Sequence, residues 1–266
     1  MFDSIAGDYD ALNHILSLDV DKIWRRKALK QIVDAPAPAR VLDLACGTGD
    51  FSIAIAKALS RSHKRVGTPI EAHVKAPAKV PVEAQVTSTG FVTGDSGRSY
   101  LMTKGHVTGV DLSEGMLAVM REKVGKAGLT EMISIEEGDG ENLRFPDNTF
   151  DRVTIAFGIR NFENREKGLR EMLRVLKPGG RLVILELSRP ENKIIRWFYD
   201  LYFLHILPKI GGKVSGDKAA YAYLPASVAA FPGKKAFMAT MREAGFRTVT
   251  HKAFTLGICR MYTGKK

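Results

Sequence analysis

The run Arg40-Val41-Leu42-Asp43-Leu44-Ala45-Cys46-Gly47-Thr48-Gly49-Asp50 constrains this chain more than any other stretch. Apolar residues lead to an acid, then to a Gly-x-Gly turn, then to a helical pattern over residues 50–59. That order spells strand, tight loop, helix. Glycines carry no Cβ, so the backbone can turn sharply and approach a ligand closely. A ligand held there sits at the carboxyl end of a parallel strand, where open α/β sheets bind small molecules.

The same alternation continues downstream. Val107-Thr108-Gly109-Val110-Asp111 is a short strand ending in an acid, and Ser113 is placed to cap a helix over residues 115–127. Residues 133–136 and 150–157 read as strands, and residues 164–176 as a helix. Lys177-Pro178-Gly179-Gly180 is a tight turn into a strand over 181–187. An aromatic-rich helical segment over 193–207 and a helix over 234–244 follow, and strands over 247–254 and 258–264 close the chain. Strands alternating with helices imply a doubly wound, mostly parallel sheet. The closing pair, with no helix between them, implies an antiparallel edge. Upstream, residues 5–33 carry an approximate helical stripe of Ile15, Leu16, Leu18, Ile23, Trp24 and Leu29.

With 266 residues, one α/β domain over 1–266 is expected. Within it we read an N-terminal helical cap (1–35), an insertion (60–104) and a helical segment on the substrate side (189–233). The insertion lacks periodicity and is punctuated by Pro69, Pro77, Pro81, Gly90, Gly94 and Gly97. Its length without regular structure is unusual in a compact domain, so we read it as a flexible insertion with a weak hairpin around 84–92. A lid is the alternative reading.

No stretch approaches the roughly 18 apolar residues of a membrane span. The opening Met1-Phe2-Asp3 lacks a basic region before an apolar core. Cys46 and Cys259 form neither a disulfide framework nor a metal-ligand spacing. A cytoplasmic location is therefore expected. The net charge of +11 is compatible with nucleic acid, with an anionic membrane surface, or with plain solvation.

The ligand class follows from what the loop lacks. A dinucleotide fingerprint needs a third glycine where this chain has Ser52, and no Lys-Ser/Thr pair follows to make a P-loop. The ligand need not carry phosphate, which fits S-adenosylmethionine. An acid about 20 residues after the glycines should hold the ribose hydroxyls. Asp111 reaches that spacing only when the 60–104 insertion is set aside. Asp139, at the end of the third strand, is placed to accept from the adenine amino group; an Asx-turn is its plainer reading. The expected fold is thus the class I S-adenosylmethionine-dependent methyltransferase: Rossmann-like, seven strands, mostly parallel.

Longer motifs then carry a resemblance. Tyr9-Asp10-Ala11-Leu12-Asn13 with Ser17 and Trp24, Phe157-Gly158-Ile159-Arg160-Asn161, the run from Arg174 through Lys177-Pro178-Gly179-Gly180 to Ser188, Leu207-Pro208, and Ala220-Tyr221-Ala222-Tyr223-Leu224-Pro225 resemble the ubiquinone/menaquinone biosynthesis C-methyltransferase family (UbiE/MenG type). The likeness covers nearly the whole chain outside the insertion. It implies methyl transfer from S-adenosylmethionine to a ring carbon of a prenylated quinol, demethylmenaquinol before the ubiquinone-type benzoquinol. It also implies cofactor contacts at Thr48, Asp111, Asp139 and Gly140, beside Asp43, Gly47 and Gly49 of the loop. Asp21 stands where many members have histidine, and Ala156 where some have serine.

Sulfonium methyl transfer is an in-line displacement, so the site must align ring and methyl and favour the phenolate. Arg160 is the candidate to stabilise that phenolate, and Tyr9 to bond the ring or help with its proton. His14 and His205 are alternative bases, though each reads more simply as structural. Asn13, Phe157, Asn161 and Tyr202 are assigned to the substrate side. No metal is implied. The aromatics between Ile194 and Leu207 read as a core or dimer face, or as a greasy surface for a polyprenyl tail. With the positive charge, the second reading suggests peripheral contact with an anionic inner leaflet.

Two other readings are open. A nucleic-acid methyltransferase would carry Asn/Asp-Pro-Pro-Tyr/Phe after the fourth strand, where this chain has Ala156-Phe157-Gly158-Ile159, so nucleic acid is not an expected partner. A non-catalytic cofactor-binding scaffold is the third.

Overall fold

The structure, a computed structural model, describes residues 19–35, 39–65, 91–93, 99–101, 105–202 and 218–266. Strand β1 (Arg40–Leu44) lies inside a seven-stranded sheet. Its side chains alternate between two cores, as strand geometry requires. Val41 meets the layer built by helices α1 (Val20–Ile32), α2 (Asp50–Arg65) and α3 (Glu114–Lys126). Leu42 and Leu44 meet the layer built by α4 (Arg165–Val175) and α7 (Lys234–Glu243). Cover on both faces is why β1 reads as a nearly continuous apolar run.

The sheet order is β5-β4-β1-β6-β7-β9-β8. Strands β4 (His106–Asp111), β5 (Ile133–Glu137), β6 (Phe150–Ala156) and β7 (Leu176–Leu187) join β1 in parallel. Strand β9 (Cys259–Lys265) inserts antiparallel between β7 and β8 (Arg247–Phe254). The expected antiparallel edge is therefore present. The order reverses at β1, which places a crevice at the carboxyl ends of β1 and β6.

Local signals set the helix starts. The Ser113 hydroxyl accepts from the Met116 amide at 3.3 Å, and Asn164 Oδ1 from the Lys167 amide at 3.0 Å, each satisfying a first-turn donor. The Lys177-Pro178-Gly179-Gly180 turn lies inside β7, where the register with β6 jumps from Leu176 to Arg181. Gly179, at φ 76°, takes the left-handed conformation that this bulge needs.

Two expectations are corrected, and a third falls mostly outside the described residues. Helix α2 runs on to Arg65, past residue 60. An antiparallel pair joins β2 (Phe91–Thr93) to β3 (Ser99–Leu101); most of the 84–92 segment read as a weak hairpin lies outside the described residues. Ile23, placed on the helical stripe, is 49% exposed. Helix α1 instead buries Asp21, Trp24, Ala28 and Ile32, its phase fixed by Trp24 Nε1 donating to Thr255 Oγ1 at 2.9 Å. Helix α5 (Lys193–Leu201) covers the first part of the expected 193–207 segment, and α6 (Lys218–Ala230) continues the helical region.

Candidate active site

The loop after β1 is held from three sides. Ala45, Gly47 and Gly49 all take positive φ, at 49°, 55° and 83°. A Cβ on Gly49 would run into the Met120 side chain, so the turn needs glycine there in conformation and in space. The Cys46 amide donates to the Val110 carbonyl at 3.1 Å, tying the loop to the end of β4. The Gly47 amide donates to Asp111 Oδ2 at 2.8 Å, and the Ser113 amide to Oδ1 of the same carboxylate at 3.0 Å. A carboxylate oxygen can accept more than one hydrogen bond.

A cleft of about 350 Å³ opens at this point. It brings together Gly47 and Asp111 with Asp139, Gly140, Phe157 and Asn161, six of the residues singled out from sequence. Its apolar walls include Leu112, Met116 and Phe162, which sequence reading did not single out. Leu112 follows Asp111 directly and is 68% exposed; a large apolar side chain left bare beside a strand-end acid is the signal that marks it. Phe162 closes the Gly140 end, where a Cβ on Gly140 would lie 2.6 Å from its ring. Asp139 Oδ1 accepts from the Glu141 amide at 2.8 Å. The Asx-turn reading and the cleft-lining reading thus hold for the same residue.

The strand β6 wall is strained. Phe157 sits at φ 63°, a region that costs a non-glycine residue of order 1 kcal/mol or more. Its ring lies 6.2 Å from Trp24, and the Arg25 guanidinium stands 5.6 Å from its centroid. Asn161 Oδ1 accepts from the Tyr223 hydroxyl at 2.9 Å, which docks α6 onto the cleft wall.

Other sequence candidates lie elsewhere. Arg160 is not among the residues that line the cleft. Its Nη1 donates to Glu186 Oε1 at 2.8 Å and to the Phe157 carbonyl, and its Nε to Ser227 Oγ at 3.3 Å. Arg160 and Glu186 side chains are 8% and 0% exposed. The guanidinium is paired with a buried carboxylate and ties down the Phe157 turn. Thr48 is buried and receives Lys123 Nζ at 3.3 Å, with Lys123 also paired to Asp50. Tyr202, half-buried at the end of α5, is not among the cleft-lining residues. Tyr9, Asn13, His14 and His205 lie outside the described residues. Among the described residues no His, Cys, Asp and Glu cluster is placed to hold a metal.

Asp43 supports the loop from beneath. It is 1% exposed and accepts from Ser52 Oγ at 2.5 Å. Burial pushes its carboxyl up to about 7, against the opposing Ser52 hydrogen bond and Arg25 charge. The unfolded carboxyl titrates near 3.8. Between those values the native state holds the extra proton, so stability falls as pH rises and levels off above 7. Asp43→Asn cannot ionise. Urea unfolding at pH 5 and 7.5 is expected to show the wild type losing about 2 to 3 kcal/mol relative to this variant. Equal slopes in both proteins would contradict the burial account.

A 3-2-1-4-5-7-6 sheet (counting its strands in chain order) with a cleft at the β1 and β6 ends defines a class I methyltransferase fold. A solved SAM dependent methyltransferase from Aquifex aeolicus shares that fold, with a TM-score of 0.54 at 18% identity over 91% of this chain and 88% of its own. The chain belongs to the ubiE/COQ5 methyltransferase family, whose model matches residues 1–266. It is 42% identical, over its full length and 87% of the relative, to the Ubiquinone/menaquinone biosynthesis C-methyltransferase UbiE of Geobacter sulfurreducens. It is 39% identical, over its full length and 91% of the relative, to a Demethylmenaquinone methyltransferase of Bacteroides fragilis.

Proposed function

We propose that this enzyme methylates a ring carbon of a prenylated quinol, with demethylmenaquinol as acceptor and S-adenosylmethionine as donor. The observation that carries the reading is full-length similarity to relatives so named, joined to a cleft whose donor end suits an adenosyl group. S-adenosylmethionine supplies a methyl on a sulfonium, an electrophile that needs no metal. Asp111 accepts from the ribose hydroxyls beside its bonds to the Gly47 and Ser113 amides. Leu112, Met116 and Phe162 exclude water around the base, and Asp139 accepts from its amino group. Phe157 and Asn161 form the acceptor side, held in place by Arg160 and Tyr223. Tyr9, Asn13 and Tyr202 are assigned to the acceptor on the strength of the family resemblance. Transfer of labelled methyl to a reduced, prenylated demethylnaphthoquinol tests this; transfer to a benzoquinol alone would reassign the acceptor.

The acceptor's tail is a lipid, and α5 offers the matching surface. Ile194, Trp197, Phe198 and Leu201 are 70%, 61%, 59% and 39% exposed. They follow i, i+3, i+4, i+7 spacing and form one apolar stripe, while Tyr199 faces inward. No helix among the described residues is long and apolar enough to cross a membrane. The stripe lies on an anionic bilayer, helped by the net charge of +11 and the exposed Lys193. Trp197→Glu with Phe198→Glu is expected to cut sedimentation with phosphatidylglycerol-containing vesicles at least tenfold, with melting temperature kept. Unchanged sedimentation would place the stripe elsewhere, for example in a homodimer.

A further inference from the structure

A smaller hollow lies behind the glycine loop. It shares Ala45, Gly47, Ala156 and Phe157 with the cleft and adds Arg25 and Thr48 on its far side. Its position relative to the rest of the site is fixed by strand order. Asp139 follows β5, Asp111 ends β4 and Gly47 follows β1, and these three strands are neighbours in the sheet. A ligand with its base at Asp139 and its ribose at Asp111 therefore has its other end at the β1 loop. For S-adenosylmethionine that end is an amino acid bearing a carboxylate.

A carboxylate arriving there meets acids. Asp43, Asp50 and Asp111 surround the loop, and the nearby Lys123 is already paired with Asp50. Arg25 is the cation that lines the hollow. Its Nε is buried without a hydrogen-bond partner, and its ion-pair contact to Asp21 is long, at 3.5 Å. The guanidinium carbon stands 5.6 Å from the Phe157 ring centroid, a cation–π contact that helps hold the side chain beside the hollow; Nε faces Asp21, and the two Nη groups are the fork offered to a bidentate partner. Its charge reaches the loop, since it opposes the upward push on Asp43. Arg160, the other arginine near this wall, is committed to Glu186.

We propose that Arg25 binds the α-carboxylate of the methyl donor, so that helix α1 supplies the clamp for the donor's amino-acid tail. The inference rests on the donor site described above. It makes helix α1 a part of the donor site.

Two ligands that differ in the tail separate this role from any other. S-adenosylhomocysteine carries the carboxylate, and 5′-methylthioadenosine lacks the amino-acid tail. Calorimetric titration of the full chain is expected to show Arg25→Met weakening S-adenosylhomocysteine about tenfold to hundredfold, the range of a lost charge-assisted bond. Methylthioadenosine binding should stay within about twofold of wild type, which also reports an intact cleft. Arg25→Lys should fall between, keeping the charge without the fork. Equal losses for both ligands, or no loss for either, would overturn the assignment. A wild type that binds neither ligand would instead overturn the donor site itself.

Discussion

Asp111→Asn is expected to weaken S-adenosylhomocysteine binding about a hundredfold. The carboxylate accepts two backbone amides, from Gly47 and Ser113, and in the account above it also accepts the ribose hydroxyls. An amide presents an NH₂ group to one of those donors, so one side of the loop loses its anchor. The ribose also loses a charged acceptor. Charge-assisted hydrogen bonds contribute about 1.5–3 kcal/mol each, and 1.4 kcal/mol is a factor of about ten in affinity. Losing one such bond and weakening a second gives the expected figure of about 3 kcal/mol. Calorimetry reads it directly, with thermal melting as the check on folding. A change of less than about threefold would mean that the ribose sits elsewhere.

The second large effect concerns the Arg160–Glu186 pair. Arg160→Met removes the cation paired with the fully buried Glu186 carboxylate. Removing one partner of such a pair costs about 3–5 kcal/mol, on the order of 10 °C in melting temperature for a chain of this size. The Phe157 turn should loosen as well, because Arg160 Nη1 also holds the Phe157 carbonyl. Arg160→Met with Glu186→Gln removes both charges; the Gln carbonyl keeps an acceptor for one of the Arg160 and Leu187 amides, which Glu186 serves through different oxygens at 3.1 and 2.8 Å, and its NH₂ faces the other. The double variant is therefore expected to regain part of the lost stability, since no unpaired charge stays buried. A single variant that melts like wild type and loses only turnover would restore Arg160 to the catalytic role expected from sequence.

These two residues also mark where sequence reading succeeds and where it stops. The β1 loop is legible because its signal is local: strand, positive-φ glycines and helix start lie within eleven consecutive residues. Asp111 is legible once the interruption before it is recognised, since an acid at a strand end is a local feature displaced in number only. Arg160 is legible as a residue of note, but its pairing is not. Its partner Glu186 lies 26 positions away on the neighbouring strand β7, and nothing in the spacing reveals that pairing. Arg25 and Leu112 are set by tertiary placement: one by the turn of α1 that faces Phe157, the other by being left exposed at the rim of the cleft. Ile23 shows the same limit on a smaller scale. The phase of α1 is set by where the Trp24 indole finds Thr255, 231 positions away.

The most direct measurement is methyl transfer itself. Purified protein is incubated with methyl-labelled S-adenosylmethionine and a prenylated demethylnaphthoquinol, kept reduced by dithionite in detergent or vesicles. The expected result is label on a ring carbon of the naphthoquinol and stoichiometric S-adenosylhomocysteine, both lost when the acceptor is left oxidised. No transfer to the naphthoquinol or to a prenylated benzoquinol, with S-adenosylhomocysteine still bound in the cleft, would contradict the account.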